Sequence, residues 1–358
     1  MIEQKRLGDI ATYINGFAFK PEDRGTVGLP IIRIQDLTGN AYDLGFYAGN
    51  YPERIEINDG DVLISWSASL GVYVWDKGKA LLNQHIFKVV FDKCEVNREY
   101  FVYAVRYKLK EMESKTHGAT MKHIVKKDFD NTLIPFPTLE EQENIANLLD
   151  KISTIILVRQ QQLQKLDELV KARFVELFGD PISNPMNWNK RTLKEVCTKL
   201  NDGTHFSPES FSMGDYKYIT AKNIKASGFD FSNITYVPEA VHRPIFERCN
   251  PEQGDVLYIK DGATTGIAIV NTLKEEFTLL SSVALLKQNR NVINGYFLAA
   301  LLNNADMYSD IRNNMGGAAI TRLTIAKLNA VKVIVPPLDL QNRFAAFVEQ
   351  VDKSKVVA

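Results

Sequence analysis

The sequence of 358 residues predicts a mixed α/β (α+β) protein in which two tandem globular units are each followed by a long helix. Three observations predict this organisation. The stretch GDVL begins a strand-like run at Gly60 and again at Gly254. The stretches PTLEEQ and PPLDLQ, which start at Pro137 and Pro336, each precede a helical pattern. Apolar residues then recur at seven-residue spacing after Pro137, as in helices that pack against another helix.

Further matches follow in the same order along the two halves. LGDIATYING (7–16) resembles LKEVCTKLNDG (193–203), YFVYAV from Tyr100 resembles YFLAAL from Tyr296, and HGATMKHI resembles GGAAITRL. One such match could arise by chance, but an ordered series indicates a tandem duplication of a large unit.

Each globular unit combines short β-type runs with a helical stretch. In the first unit the runs IIRIQDL, DVLISW and HIFKVVF are typical of strands, and NREYFVYAVRYKLKEME is typical of a helix. We therefore predict a globular domain at residues 1–137, a spacer helix at 138–178, a linker at 179–188, a second globular domain at 189–337 and a second spacer helix at 338–358.

The first spacer helix has clear ends. Thr138 and Glu141 have the spacing of a capping box, and Gly179 with Pro181 ends the pattern. Its apolar seam should pack against the second helix, which is expected to be truncated to roughly half the length of the first. The predicted interface residues are Leu149, Ile152, Ile156, Leu163, Leu166, Val170, Phe344, Val348 and Val351.

The composition limits the class of protein. Lysine plus arginine equals aspartate plus glutamate at 43 each, so a nucleic-acid surface must come from local clustering. Three widely spaced cysteines fit reduced thiols, and no apolar run reaches the roughly 18 residues of a membrane span. We expect a cytoplasmic protein with no membrane partner.

The sequence contains no pattern of a catalytic, nucleotide or metal site. QGDVLYIKDGATTG, which ends at Gly266, lacks the following Lys and Ser or Thr of a phosphate-binding loop. NPMNW, from Asn184, lacks the second proline and the aromatic residue of an adenine-methyltransferase loop. The five histidines lack the spacing that places two metal ligands on one helix face. We expect a non-catalytic chain that binds no metal and no cofactor.

A basic segment at 106–127 is the best local signal for DNA, since it has seven lysines and arginines against two glutamates. The alternative is an ordinary solvated surface. The two halves also share apolar positions but differ at the polar residues that follow each GDVL strand. Such differences are expected of two domains that recognise different base sequences.

Two α/β units, each followed by a helix that begins after PTLEEQ or PPLDLQ, resemble the DNA-specificity subunit of type I restriction-modification systems. PMNW (185–188) and DGTHFSP (202–208) carry the resemblance further. It implies that the helices pair as an antiparallel coiled coil and that each unit recognises one half of an interrupted, asymmetric duplex site. It also implies two methyltransferase subunits and additional restriction (motor) subunits as partners, which would use S-adenosylmethionine, ATP and Mg²⁺ for adenine methylation and cleavage.

With this resemblance, the predicted DNA contacts are polar residues near the strand ends and in the basic segment. They are Ser65, Trp66, Ser67, Asn83, Gln84, His85, Lys115, His117, Lys122, His123, Thr204, His205, Lys222, Asn223, Lys260, Asp261, Thr264, Thr265 and Arg322. Gln142 and Gln341 are expected to be scaffold contacts at the helix starts. The alternative is a rearranged subunit with impaired DNA targeting, which acts as an assembly module or self-associates through the unpaired helix.

Overall fold

A computed structural model describes residues 2–115, 123–313 and 323–357. The chain forms two compact units, Met1–Leu157 (unit one) and Val158–Ala358 (unit two), and the division between them falls inside the long helix. The bounds predicted for the two globular domains, 1–137 and 189–337, stay a prediction. No helix in the described ranges is long and apolar enough to cross a membrane.

Unit one contains two four-stranded sheets and one strand pair. One sheet has the order β2-β9-β6-β7 and is antiparallel, the other has the order β4-β3-β8-β5 with β3 and β8 parallel, and β1 pairs with β10. The strands are β1 (Gln4–Arg6), β2 (Thr12–Asn15), β3 (Leu29–Ile32), β4 (Gly45–Tyr47), β5 (Glu56–Ile57), β6 (Val62–Ser65), β7 (Gly71–Val74), β8 (Ala80–Leu82), β9 (Ile86–Val90) and β10 (Leu133–Pro135).

Unit two repeats most of this arrangement, but its second sheet has three strands and β14 pairs with β15. Its sheets have the orders β12-β20-β17-β18 and β16-β13-β19, with β13 and β19 parallel, and β11 pairs with β21. The strands are β11 (Lys190–Thr192), β12 (Cys197–Asp202), β13 (Tyr216–Ile219), β14 (Ile224–Lys225), β15 (Gly228–Phe229), β16 (Thr235–Val237), β17 (Val256–Ile259), β18 (Ala268–Val270), β19 (Phe277–Leu279), β20 (Val283–Gln288) and β21 (Lys332–Ile334).

The helices include the long one that the seven-residue pattern predicts. They are α1 (Ile34–Leu37), α2 (Arg98–Lys115), α3 (Lys126–Asp130), α4 (Leu139–Phe178), α5 (Leu193–Val196), α6 (Glu239–Arg248), α7 (Gly295–Leu302), α8 (Ala305–Asn313), α9 (Ile325–Ala330) and α10 (Leu338–Val357).

The predicted ends of α4 are confirmed. Thr138 N–H donates to the Glu141 carboxylate at 3.0 Å, and Glu141 N–H donates to Thr138 Oγ1 at 3.3 Å. Gly179, at φ 74°, ends the helix. The run IIRIQDL, by contrast, is a strand only in its first part. Asp36 caps the backbone N–H of Arg33 at 2.8 Å, so that the following residues form the short helix α1.

Within unit two, α10 runs antiparallel to the end of α4. Phe174 and Phe178 each contact Phe344 edge-on, with ring centroids 5.7 Å and 5.5 Å apart. Farther along, Lys355 Nζ lies 2.8 Å from Asp167 Oδ1. The aromatic rings are buried in the main core cluster of the unit. The antiparallel helix pair is therefore held by a phenylalanine cluster and an ion pair.

The GDVL repeats have the same backbone geometry. Gly60 and Gly254 both adopt φ 91° at the turn that leads into β6 and β17. A left-handed φ of this kind favours glycine, because a Cβ would be strained there. The tandem duplication that the sequence predicts is therefore visible in these matching turns and in the matching strand order of the two antiparallel sheets.

Candidate nucleic-acid interface

In unit one, the loops after β6 and β8 meet at one end of the antiparallel sheet. Trp66 N–H donates to the His85 carbonyl at 3.2 Å, and the two rings lie 4.9 Å apart. The Trp66 indole stacks on Phe87 and donates to Asn15 Oδ1 at 3.2 Å. The backbones of Ser67 and His123 form a bridge. Several predicted DNA contacts, namely Trp66, Ser67, His85 and His123, are therefore neighbours.

The corresponding loops of unit two meet in the same way. Lys260 N–H donates to the Ser282 carbonyl at 2.9 Å. The Lys260 amine lies 3.3 Å from Asp202 Oδ2 and 2.8 Å from Asp261 Oδ2, while His205 Nε2 is 3.2 Å from Asp202 Oδ1. The Lys260 charge is therefore balanced by two carboxylates within the unit.

Backbone hydrogen bonds establish that Trp66 and Lys260 occupy the same place in the two units. Ile124 N–H donates to the Trp66 carbonyl at 2.9 Å, and Leu323 N–H donates to the Lys260 carbonyl at 3.0 Å. The loop geometry around these two positions is shared, but their side chains have different chemistry.

The partners of these two side chains also match. Asn15 ends β2 and Asp202 ends β12, and these strands lie beside β9 and β20 in the two sheets. The indole-to-amide hydrogen bond of unit one is thus replaced by an ion pair in unit two. Each pair ties a loop to the neighbouring strand end, so Asn15 and Asp202 are positioning residues that the DNA-contact prediction missed.

Some predicted DNA contacts are buried, with their polar groups bonded inside the protein. Ser65 donates to the Ser69 carbonyl at 2.6 Å, and Thr265 donates to the Gly262 carbonyl at 2.7 Å. Asn223 accepts from Thr220 N–H at 3.1 Å. The buried predicted residues are Ser65, Ser67, Thr204, Asn223, Lys260 and Thr265. Their burial favours a role in shaping the loops, and direct DNA contact by them stays a prediction.

Other predicted contacts face solvent. His85, His123, His205, Lys222 and Thr264 are exposed, and Trp66, Asn83, Gln84 and Asp261 are half-buried. His117, Lys122 and Arg322 lie outside the described residues, as does the side chain of Lys115. The exposed residues are the ones whose polar groups can meet a ligand directly.

The apolar seam of α4 is packed only near its end. Val170 and Val348 contact the core cluster of unit two, and Phe344 and Val351 are buried. Leu149 and Leu166 are half-buried. The exposed fractions of the side chains are 44% for Ile152, 53% for Ile156 and 37% for Leu163. The seam therefore presents a row of apolar side chains to solvent.

No metal-binding cluster of three or more histidine, cysteine, aspartate or glutamate residues occurs within residues 2–115, 123–313 and 323–357. Burial raises the pKa of the Cys197 and Cys249 thiols to about 12, which disfavours the reactive thiolate. The polar clusters at the loop ends are arranged for binding through hydrogen bonds and charge.

A family model described as the type I restriction modification DNA specificity domain matches this chain twice, at residues 2–168 and 185–356. The chain belongs to the family of type I restriction-modification specificity subunits. The two matches correspond to the two halves of the tandem duplication, so both halves of this specificity subunit are members of the same domain family.

Individual relatives agree with this assignment. The EcoBI specificity subunit of Escherichia coli is 23% identical over 96% of this chain and 78% of its own length. The MjaVIII specificity subunit of Methanocaldococcus jannaschii is 22% identical over 84% of this chain and 74% of its own. The crystal structure of an S subunit from M. genitalium matches 99% of this chain and 90% of that chain, at 17% identity and a TM-score of 0.58. The fold predicted from the sequence is therefore confirmed.

Proposed function

We propose that this specificity subunit binds an interrupted, asymmetric duplex site, with one unit on each half, and directs partner subunits that methylate adenine and cleave DNA. The observation that carries the proposal is the replacement of the accessible side chains of Gln84 and His85 by those of Ser281 and Ser282 on matching loop ends. A shared scaffold with different polar groups suits recognition of two different half-sites, since base identity is distinguished by hydrogen-bonding groups in the major groove.

Exposed basic side chains of unit one support its binding to the phosphate backbone of DNA. Arg106 and Lys110 are exposed on α2, and Lys126 and Lys127 are exposed on α3. Lys126 also contacts Asp130 at 2.6 Å, so part of its charge is balanced locally. Positive side chains of this kind attract duplex DNA without base preference and make binding dependent on salt.

The exposed part of the α4 seam supports docking of partner proteins. Ile152 and Ile156 are about half exposed, and Leu148 and Ile155 are each exposed by 59%. Contiguous exposed apolar side chains commonly mark protein interaction sites. A solved structure that is similar to this chain, at a TM-score of 0.53 and 18% identity, concerns complex assembly of the type I R-M system. We infer that two methyltransferase subunits bind the helices of this chain. The restriction subunits then join this complex.

In this proposal the chain itself performs no chemistry and acts in the cytoplasm. S-adenosylmethionine, ATP and Mg²⁺ are used by the partner subunits. Base flipping takes place in a methyltransferase pocket, because enzymes that modify a base must take it out of the stack. The role of this chain is to select the site and to hold each half in register.

The test is to co-express the chain with a methyltransferase subunit of the same system and to map methylated adenines in the DNA of the host. We expect a motif of two short specific parts separated by a fixed unspecific gap. The purified complex should also bind duplex DNA with an affinity that falls steeply with salt, with a log–log slope of about −0.9 for each phosphate contact.

The control is expression of this chain without the methyltransferase subunit, since methylation should require both subunits. Absence of methylation together with absence of salt-sensitive duplex binding would contradict the proposal. That pair of results would instead favour an assembly module with impaired DNA targeting.

A further inference from the structure

Unit one contains a cleft of about 840 Å³ beside the loop ends described above. Four carboxamide side chains line it, those of Gln35, Asn40, Asn83 and Gln84. The cationic side chain of Arg24 also lines the cleft, and no carboxylate is among the described lining residues. The cleft therefore suits an anionic ligand that has both hydrogen-bond donors and acceptors.

A buried arginine holds the loop that forms one wall of the cleft. Arg33 is 5% exposed, and its Nε lies 3.0 Å from Asp36 Oδ2. Its Nη2 donates to the Asp43 carbonyl and lies 3.4 Å from Asp43 Oδ1. Both ends of the loop 36–43 are thus fixed to one side chain. A loop that is already ordered pays less entropy when it binds a ligand.

The opposite wall has strained backbone. Ala68 and His85, which both line the cleft, adopt φ 57° and φ 72°. The loop position in unit two that matches Ala68 is occupied by Gly262, at φ 103°. Non-glycine residues in the left-handed region cost of order 1 kcal/mol and often occur at binding sites. At the position of Ala68, unit one therefore keeps a side chain in the wall of the cleft where unit two has a glycine.

The side chains that line the cleft are largely unpaired. Asn83 Oδ1 is buried without a hydrogen-bond partner among the described residues. Asn40 donates to Thr38 Oγ1 at 3.2 Å. Gln35, Gln84 and Arg24 form no side-chain hydrogen bond within the described ranges, and Tyr42 stands fully exposed on the fixed loop. Gln35 and Gln84 are therefore the carboxamides with both polar atoms available to a ligand.

We propose that this cleft is the base-recognition site of unit one and that the carboxamides of Gln35 and Gln84 recognise A·T base pairs in the major groove. The inference rests on the proposed function. A glutamine carboxamide matches adenine N6 and N7 with one donor and one acceptor. Arg24 supplies the positive charge for a neighbouring phosphate. Ser281 occupies the position of Gln84 in unit two, since Gln84 N–H donates to the Phe17 carbonyl and Ser281 N–H to the matching Thr204 carbonyl. The two units therefore present different side chains to a base at this position.

The test is selection from a randomised duplex library by the complex of the full chain with a methyltransferase subunit. The variants are Gln84→Met and Gln35→Met, which keep side-chain length and remove the amide. The matched control is Gln4→Met, because Gln4 is an exposed carboxamide on β1 outside the cleft. Wild type and control should enrich the same two-part motif.

Each cleft variant should lose preference for an A·T pair at one position of the half recognised by unit one. The expected loss of discrimination is roughly 5- to 150-fold, the range of one bidentate contact to a base. The half recognised by unit two should keep its sequence. Thermal unfolding of each variant should match that of wild type, since both side chains are free of internal partners.

Unchanged preference in both cleft variants would overturn the inference while the proposed function stands. A uniform loss of affinity with no change of motif would also overturn it, because the cleft would then contact only the backbone of DNA. If the wild-type complex enriches no duplex at all, the proposed function fails and the inference fails with it.

Discussion

At the scale of single residues, Gln142 shows how a buried amide fixes the start of a long helix. Its Oε1 accepts from Asn97 N–H at 2.9 Å, next to the start of α2, and its Nε2 donates to the Pro137 carbonyl at 2.8 Å. Gln341 repeats both bonds in unit two, with Asn294 N–H at 2.9 Å and the Pro336 carbonyl at 2.8 Å. The expected scaffold role of both glutamines is confirmed.

The substitution Gln142→Met should destabilise unit one. The variant keeps the length of the side chain but leaves the Asn97 N–H and the Pro137 carbonyl without a partner, at a cost of about 2–5 kcal/mol for the two groups. Denaturant unfolding followed by circular dichroism measures this loss. Gln160→Met, at an exposed position of the same helix, should change stability by less than about 0.5 kcal/mol. Equal stability of the two variants would contradict the assigned role.

The sequence identified polar positions at the loop ends but could not tell which of them face solvent. Trp66 and Lys260 were both predicted contacts, yet the amine of Lys260 lies between two carboxylates. Asp202 is distant in sequence from Lys260, so only the sheet brings the two together. The loop that Arg33 holds was missed for the same reason. The turn residues Gly39 and Asn40, followed by the aromatic Tyr42, are the local signal that could have marked it.

At the scale of elements, long periodic segments were predicted well and short strands less well. The helix α4 has the bounds that its seven-residue pattern predicts, because many residues contribute to the signal. The run IIRIQDL was predicted as one strand, but the Asp36 cap turns its second half into a helix. The predicted interface residues Val170, Phe344 and Val351 do pack in unit two, but the seven-residue pattern did not predict Phe174 and Phe178, which form much of the packed end of α4.

The phenylalanine cluster makes a prediction about helix pairing. Phe344 is fully buried, and its ring contacts those of Phe174 and Phe178. Phe344→Ala should lower the free energy of unfolding of unit two by about 3–5 kcal/mol, through lost burial and the cavity left behind. The control is Val175→Ala, because Val175 is 51% exposed on the turn of α4 that carries Phe174 and Phe178. The measurement is denaturant unfolding, and a loss of under about 1 kcal/mol for Phe344→Ala would contradict the packing described here.

At the scale of the whole molecule, the tandem duplication is the feature that links sequence, fold and function. The same strand order of the antiparallel sheet, the same turn at Gly60 and Gly254 and the same glutamine bonds recur in both units. The repeated motifs made this organisation predictable from one sequence. The bases that each unit recognises were not predictable, because they depend on which loop side chain meets which base edge.

Exchange of one unit tests the central claim most directly. Residues 189–337 would be replaced by the corresponding domain of another specificity subunit, and methylated adenines would be mapped for the parent and the chimera. We expect one half of the two-part motif to change to that of the donor, while the other half stays as in the parent. A change in both halves, or in neither, would contradict the claim that each unit recognises its own half of the site.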